Sequence, residues 1–307
     1  MKFQNQEVEY LMQIYFKTKS NILLIGPSGT GKTMVVQQTC EQSKRKLVLV
    51  TGGESMQDTD LFGSFSGKKT EGGYEWVDGH LTKAFASAAA GTPTTFFMDE
   101  MNRWPTQYQN SLIEAINCYD EDNYVVRNHQ LQKTLKAPRD MLQFIATANI
   151  GQAGTNDIPQ ALKDRFNIVR VNYPDMQTEL KILKGTGLDD KIASILVTFA
   201  NETRTMADKM EIPSGISTRA LVNVSEQYTL LSDDMPDNQK MNLLYVLMKS
   251  PVYRVSGACD VPDAEETTNG LLHMFEEKIK SILGGTTPGR ARSRNPGAGI
   301  GANPAAI

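Results

Sequence analysis

Eight consecutive residues, Gly26-Pro27-Ser28-Gly29-Thr30-Gly31-Lys32-Thr33, place three glycines, a lysine and a hydroxyl at the spacing of a phosphate-binding loop. Glycines let the backbone wrap a polyphosphate, so that amide N–H groups and the N-terminus of the next helix face the anion. Lys32 can reach the β- and γ-phosphates, and Thr33 can hold Mg²⁺ through its hydroxyl. The flanks decide between this and a ligand-free glycine turn. Ile22-Leu23-Leu24-Ile25 reads as a buried strand, and Met34 to Gln42 as a helix with Val35, Val36, Thr39 and Cys40 on one face. The whole loop, with Met34 at the helix start, is the candidate nucleotide-binding segment.

A second cluster follows downstream. Phe96-Phe97-Met98-Asp99-Glu100 reads as a buried strand ending in two acids. Beside a polyphosphate, Asp99 would hold Mg²⁺ and Glu100 would orient and polarise the attacking water, because phosphoryl transfer depends mostly on positioning and electrostatics. Asn149 ends another apolar strand, and parallel strands deliver ligand-facing residues at their carboxyl ends. It could contact the γ-phosphate or the lytic water, or simply cap a turn. Arg165, in Lys163-Asp164-Arg165-Phe166, is either a finger inserted into a neighbour's site or a local ion-pair partner of Asp164 or another nearby acid. Arg219, in Ser217-Thr218-Arg219-Ala220, falls in the first turn of a later helix, where it is either a nucleotide contact or a surface charge.

These residues need strands and helices to hold them. Up to about Pro174 strand and helix signals alternate, the pattern of a parallel α/β sheet. The expected strands are Asn21–Ile25, Leu47–Thr51, Thr94–Met98, Gln143–Ala148 and Ile168–Val171, and Gln107 to Asn117 shows one of the helical faces. Two hairpins are expected: Ser64–Ser66 with Tyr74–Val77, and Tyr124 to Lys136. Phe65, Tyr74 and Trp76 read as core residues by base rate, or as gripping residues if the hairpin faces a partner. After Pro174 only helices are expected, at Gln177–Lys184, Lys191–Lys209, Thr218–Leu231, Gln239–Met248 and Ala264–Leu283. Residues 284–307 are rich in Gly, Pro and Ala, carry Arg290, Arg292 and Arg294, and are expected to be a disordered tail. The division is thus 1–174 for the α/β domain, 175–283 for the helical domain and 284–307 for the tail.

Composition narrows the classes. The chain has 307 residues, 40% hydrophobic and 22% charged, with a formal net charge of −3. That is an ordinary soluble composition, without a general attraction for nucleic acid or acidic membranes. Cys40, Cys118 and Cys259 show neither zinc spacing nor a disulfide framework, which suits a reducing, cytoplasmic setting. No signal peptide or membrane-length apolar run is expected. His80 and His129 lack ligand spacing.

Taken together, the motifs resemble those of an AAA+ ATPase. Gly26–Thr33 matches its Walker A loop and Phe96–Glu100 its Walker B strand. Asn149 falls at sensor 1, Arg165 at the arginine finger and Arg219 at sensor 2. Within that P-loop NTPase superfamily the chain resembles the MoxR group, especially its CbbQ, NorQ and CobS-like branch. The run Met98-Asp99-Glu100-Met101-Asn102-Arg103, continuing through Pro105, Gln109, Leu112, Glu114 and Ala115, carries this. So does Thr147-Ala148-Asn149, with Gly151 and Gly154 before Asp164-Arg165-Phe166. The resemblance covers roughly residues 15 to 230.

The resemblance implies ATP and Mg²⁺ as cofactors, a helical lid over the nucleotide, and a homo-oligomeric, hexameric ring. It implies a MoxR-type chaperone that remodels or activates a client protein, often with a von Willebrand factor A-domain partner. Two other classes stay open. One is a nucleic-acid-dependent motor or loader, to which Lys68-Lys69, Lys133, Lys136, Arg139 and the tail arginines would contribute. The other is a slow, nucleotide-switched scaffold. The choice between ATP and GTP has no readable code in the sequence.

Overall fold

The fold was analysed in a computed structural model, which describes residues 5–70, 73–117, 120, 122–150, 156–260 and 264–283. The tail, Cys118, Gly151 and Gly154 lie outside these residues.

The α/β half contains, in chain order, α1 (Gln6–Lys17), β1 (Ile22–Gly26), α2 (Lys32–Gln42), β2 (Lys46–Thr51) and α3 (Asp58–Phe62). There follow β3 (Gly63–Thr70), β4 (Gly73–Asp78), α4 (His80–Ala89), β5 (Thr94–Asp99) and α5 (Thr106–Ile116). The half closes with β6 (Asn123–Asn128), β7 (Lys133–Pro138), β8 (Leu142–Asn149), α6 (Gln160–Lys163) and β9 (Asn167–Arg170). The helical half is α7 (Met176–Lys184), α8 (Asp190–Asp208), α9 (Thr218–Ser232), α10 (Asp237–Val255) and α11 (Glu265–Leu283).

Five strands form one parallel sheet in the order β2-β5-β8-β1-β9. Every residue of β8 is buried. Strands covered on both faces need continuous apolar runs, and Leu-Gln-Phe-Ile-Ala-Thr-Ala-Asn comes close to one. Its polar exceptions are bonded: Gln143 Nε2 donates to the carbonyls of Tyr15 and Ser20 at 3.3 and 2.7 Å. On one face Phe85, Phe96, Tyr124 and Phe144 pack edge to face. On the other, Val8, Met12 and Phe16 of α1 meet Val35, Val36 and Cys40 of α2. The helical half has its own core, centred on Leu196, Phe199, Leu221, Met248 and Phe275.

The expected elements are present, with differences at particular places. Helix α10 runs through Pro251 to Val255, past the expected end at Met248. Val252 and Val255 bury in the helical core, which offsets the hydrogen bond that proline removes. The hairpin β6–β7 is not a free loop: Tyr124, Val126 and Ala137 join the main core. Two of the cations weighed toward nucleic acid have local partners here. Lys136 pairs with Asp120 at 3.5 Å, and Arg139 lies over the Tyr124 ring at 5.9 Å. The β3–β4 aromatics depart from the core expectation: Phe65 and Tyr74 are 57% and 60% exposed, and Trp76 is half-buried. A two-stranded ribbon has no second layer over its outer face. Phe65 packs against its cross-strand neighbour Trp76, with ring centroids 5.2 Å apart.

One buried ion pair ties the helical half together. Arg204 of α8 forks onto Glu179 of α7 with bonds of 2.8 and 2.7 Å, and Thr218 donates to Glu179 at 2.6 Å. Both carboxylate oxygens are satisfied, as a fully buried acid requires. Glu179→Ala should strand the guanidinium and cost about 3–5 kcal/mol, read as a lowered denaturant midpoint. An unchanged midpoint would contradict this account of the lid.

Candidate functional site

A parallel sheet brings its carboxyl ends to one edge, and β1, β5 and β8 deliver the candidate residues there. Gly26 ends β1 in register with Asn149 at the end of β8. Asp99 ends β5, whose Met98 pairs with Ala146.

After β1 the loop turns with Gly29 at φ +75° and Gly31 at φ +90°, a left-handed backbone that favours glycine. Gly31 is the N-cap of α2, so the first free N–H groups of that helix point into the loop. Lys32 is buried, and its ammonium donates to the carbonyls of Gly26 and Pro27 at 2.9 and 2.7 Å. Burial pushes its pKa down to about 8, while Asp99 and Glu100 pull it up and Arg219 pushes it down.

Thr33 Oγ1 lies 3.1 and 3.0 Å from the two oxygens of Asp99. A hydroxyl and a carboxylate converging beside a phosphate loop fit Mg²⁺, which takes few protein oxygens and completes its shell with water and phosphate. Among the described residues no cluster of three His, Cys, Asp or Glu could form a closed metal cage. Thr147 Oγ1 donates to Asp99 Oδ1 at 2.5 Å and accepts the Glu100 backbone N–H at 2.9 Å. That second bond supports a strained backbone, because Glu100 sits at φ 53°, ψ 46°.

The Glu100 carboxylate is held from two sides. Asn149 Nδ2 donates to Oε1 at 2.9 Å, and Arg103 Nη1 lies 3.3 Å from Oε2. Asn102 fixes Asn149 in turn: its amide donates to the Asn149 carbonyl at 2.8 Å and accepts from the Asn149 N–H at 3.3 Å. Asn149 is therefore more than a turn cap. Sequence reasoning assigned no role to Thr147, Asn102 or Arg103. A polar threonine inside an apolar strand was the available signal for the first.

The helical half covers the loop. A cleft of about 330 Å³ runs between them, lined by Thr30, Met34, Ile182, Arg219, Val222 and Glu226 among others. Gly29 packs against Ser217, the N-cap of α9, so tightly that a Cβ would sit 2.7 Å from the Ser217 Cβ. Arg219 thus stands at the cleft, as expected of a lid residue, rather than out on an unrelated surface.

Arg165 lies elsewhere. It precedes β9, and Asn167 pairs with Ile22 at the start of β1. The phosphate loop leaves the other end of β1, four residues or roughly 13 Å away. Arg165 Nε donates to Asn117 Oδ1 at 2.6 Å and Nη1 to the Ala161 carbonyl, not to Asp164. Asp164 instead accepts from Gln160 at 2.7 Å.

Comparison with known proteins places the chain in a family. Residues 21–166 match the model for the AAA domain, dynein-related subfamily, and residues 179–239 the CbbQ/NirQ/NorQ C-terminal model. The chain is an AAA+ ATPase of the MoxR type. Among relatives of this ATPase, a Lon protease of Malacoplasma penetrans is 30% identical over 195 residues, 60% of this chain but only 22% of that one. An uncharacterized protein of Staphylococcus aureus is 28% identical over 223 residues, 70% of this chain and 81% of that one. One of Staphylococcus saprophyticus is 25% identical over 231 residues, 73% and 82% of the two chains. A solved structure from Cytophaga hutchinsonii aligns over 89% of this chain and 90% of that one at 19% identity, with a TM-score of 0.43, too loose a likeness to bear on function. Among the described residues no helix is long and apolar enough to cross a membrane.

The depressed Lys32 has a consequence for binding. A bound polyphosphate must raise that pKa from about 8, so binding near pH 8.5 takes up protons. Affinity for MgATP should fall as pH rises above 8, by at most about tenfold per unit. Titration calorimetry in two buffers of different ionisation enthalpy would read the uptake. Buffer-independent heats at pH 8.5 would contradict it.

Proposed function

We propose that this AAA+ ATPase works as a ring that hydrolyses ATP with Mg²⁺ and uses the cycle to remodel or activate a client protein. The observation that carries the ring is the placement of Arg165. It stands at the amino edge of the sheet while the phosphate loop stands at the carboxyl edge, so it can serve a nucleotide only in another subunit. AAA+ proteins generally act as oligomers, which supports the same reading.

In the proposed cycle the amides of Gly26–Thr33 and Lys32 bind the phosphates, and Met34 lies beside them at the start of α2. Thr33 and Asp99 would hold Mg²⁺, which would supply positive charge beside the phosphates. Asn149 and Arg103 hold the Glu100 carboxylate, which accepts the proton of the attacking water. Arg165 of the next subunit spreads charge from the transferring phosphoryl group. Arg219 reaches the nucleotide from its own lid, and the change in lid angle moves the aromatic hairpin β3–β4. The exposure of Phe65 and Tyr74 supports a contact surface for the client there.

Mixing subunits tests the trans arrangement. Arg165→Ala and Glu100→Gln should each lose activity, the former by about 10³-fold or more. Mixtures should regain activity, because a Glu100→Gln subunit lends its finger to an Arg165→Ala subunit with an intact base. Mixtures no more active than the parents would overturn the ring-borne finger. The client arm is read separately, by capture on Glu100→Gln held with ATP against a Lys32→Ala control. A protein retained only in the ATP-bound state supports remodelling, and nuclease-sensitive capture of nucleic acid would replace it with the motor.

A further inference from the structure

A continuous line of polar contacts runs from the phosphate loop into the lid through Tyr173 and the buried Arg204–Glu179 pair. Tyr173 lies in the segment between the two halves, and its hydroxyl donates to the Ser28 carbonyl of the phosphate loop at 3.2 Å. Burial, aided by Glu179 and Asp208 against the opposing effect of Arg204, raises the phenol pKa, so the hydroxyl keeps the proton it donates. The Arg204 guanidinium lies 4.1 Å from the Tyr173 ring centroid, a stacked cation–π geometry.

From there Arg204 grips the start of α9 on two sides. Its Nε donates to the Ile216 carbonyl at 2.9 Å. Its two terminal nitrogens fork onto Glu179, and Glu179 accepts from Thr218 at 2.6 Å. Residues 216 and 218 are thereby both fixed to one planar cation, and the Ile216 N–H is further bonded to Thr203 at 3.0 Å. Arg219 is the next residue. The backbone that delivers it is clamped, and the clamp rests on an aromatic ring hydrogen-bonded to the loop that cradles phosphate. Gly215 fits against Arg204 without room for a side chain: a Cβ there would lie 2.6 Å from Arg204 Cγ.

We propose that Tyr173 and Arg204 are positioning residues, a strut that sets Arg219 relative to the phosphate loop through the Ser28 carbonyl and the residue 216–218 turn. The strut acts through Arg219, although Tyr173 and Arg204 themselves line a cleft beside Ser28 and Gly29. It makes the position of Arg219 depend on the conformation of the loop at Ser28, so a shift at the phosphates is passed to the lid. A bidentate fork suits this better than a lysine would, since only a planar group can hold Glu179, the Ile216 carbonyl and the Tyr173 face together. The inference rests on the reading of Arg219 as a nucleotide contact.

Arg204 variants risk unfolding the lid, so Tyr173→Phe is the informative change, because it removes the bond to Ser28 and keeps the ring. In full-length protein, Tyr173→Phe should lower the kcat for ATP hydrolysis by about 3–10-fold, the range for one lost hydrogen bond. In an Arg219→Ala background the same change should lower the residual rate by less than about twofold, because coupled residues do not add. Its effect on Tm should be equal in both backgrounds. An equal loss of kcat in both, or no loss in either, would overturn the strut while leaving Arg219 in place. An Arg219→Ala protein with unchanged kcat would remove the role of Arg219, and the strut with it.

Discussion

Parallel strands place all their carboxyl ends on one edge, and that directional constraint governs the rest of this molecule. Gly26, Asp99 and Asn149 are far apart in sequence and become neighbours because β1, β5 and β8 lie side by side in register. The order β2-β5-β8-β1-β9 puts the acid-bearing strand two positions away from the strand that feeds the phosphate loop. β8 between them carries Thr147 and Asn149, which complete the contacts. The same direction sends Arg165 to the opposite edge. One geometric fact therefore brings Gly26, Asp99 and Asn149 together at one edge and keeps Arg165 away from it.

Within that edge, hydrogen bonds do the fine positioning. Asp99 meets Thr33 and Thr147, Glu100 meets Asn149 and Arg103, and Asn102 brackets the backbone of Asn149. Each acid is held by groups from a different element, so neither can rotate without breaking contacts to a neighbour. The left-handed backbone of Glu100 belongs to this arrangement. It turns the second acid out of the strand direction, and the Thr147 hydroxyl supports it there. Lys32, desolvated under the carbonyls of its own loop, is the complementary cation waiting for phosphate. The lid then closes the remaining side, with Gly29 against Ser217 and the Tyr173–Arg204 contacts behind it.

Several features were legible because they rest on local chemistry. The glycine spacing of the loop, the apolar runs of the five strands and the change to all-helical periodicity after Pro174 each have a short-range cause, and the five sheet strands appear within a residue or two of their expected ends. Burial of the hairpin aromatics was not legible. Phe65 and Tyr124 occupy similar alternating strands, yet Phe65 is exposed and Tyr124 is in the main core. The difference lies in what packs against each ribbon, and strand periodicity carries no information about that. The extension of α10 through Pro251 has the same origin, since local rules end a helix there and only the packing of Val252 and Val255 continues it.

Sequence alone determined that this chain carries a phosphate loop, an acid pair at a strand end and a polar residue at another, because those signals reside in residue types and short spacings. It also determined the family likeness, which the comparisons support. Tertiary structure decided which of these residues meet. Asn149 became a partner of Glu100 rather than a turn cap because β8 lies beside β5. Arg165 was parted from its own loop because β9 runs parallel to β1. Arg204, an unremarked residue of a lid helix, became the hub between Tyr173, Glu179 and the turn before Arg219. Contacts between residues distant in sequence depend on strand order and helix packing, which are settled by the burial of the whole core and not by any one segment.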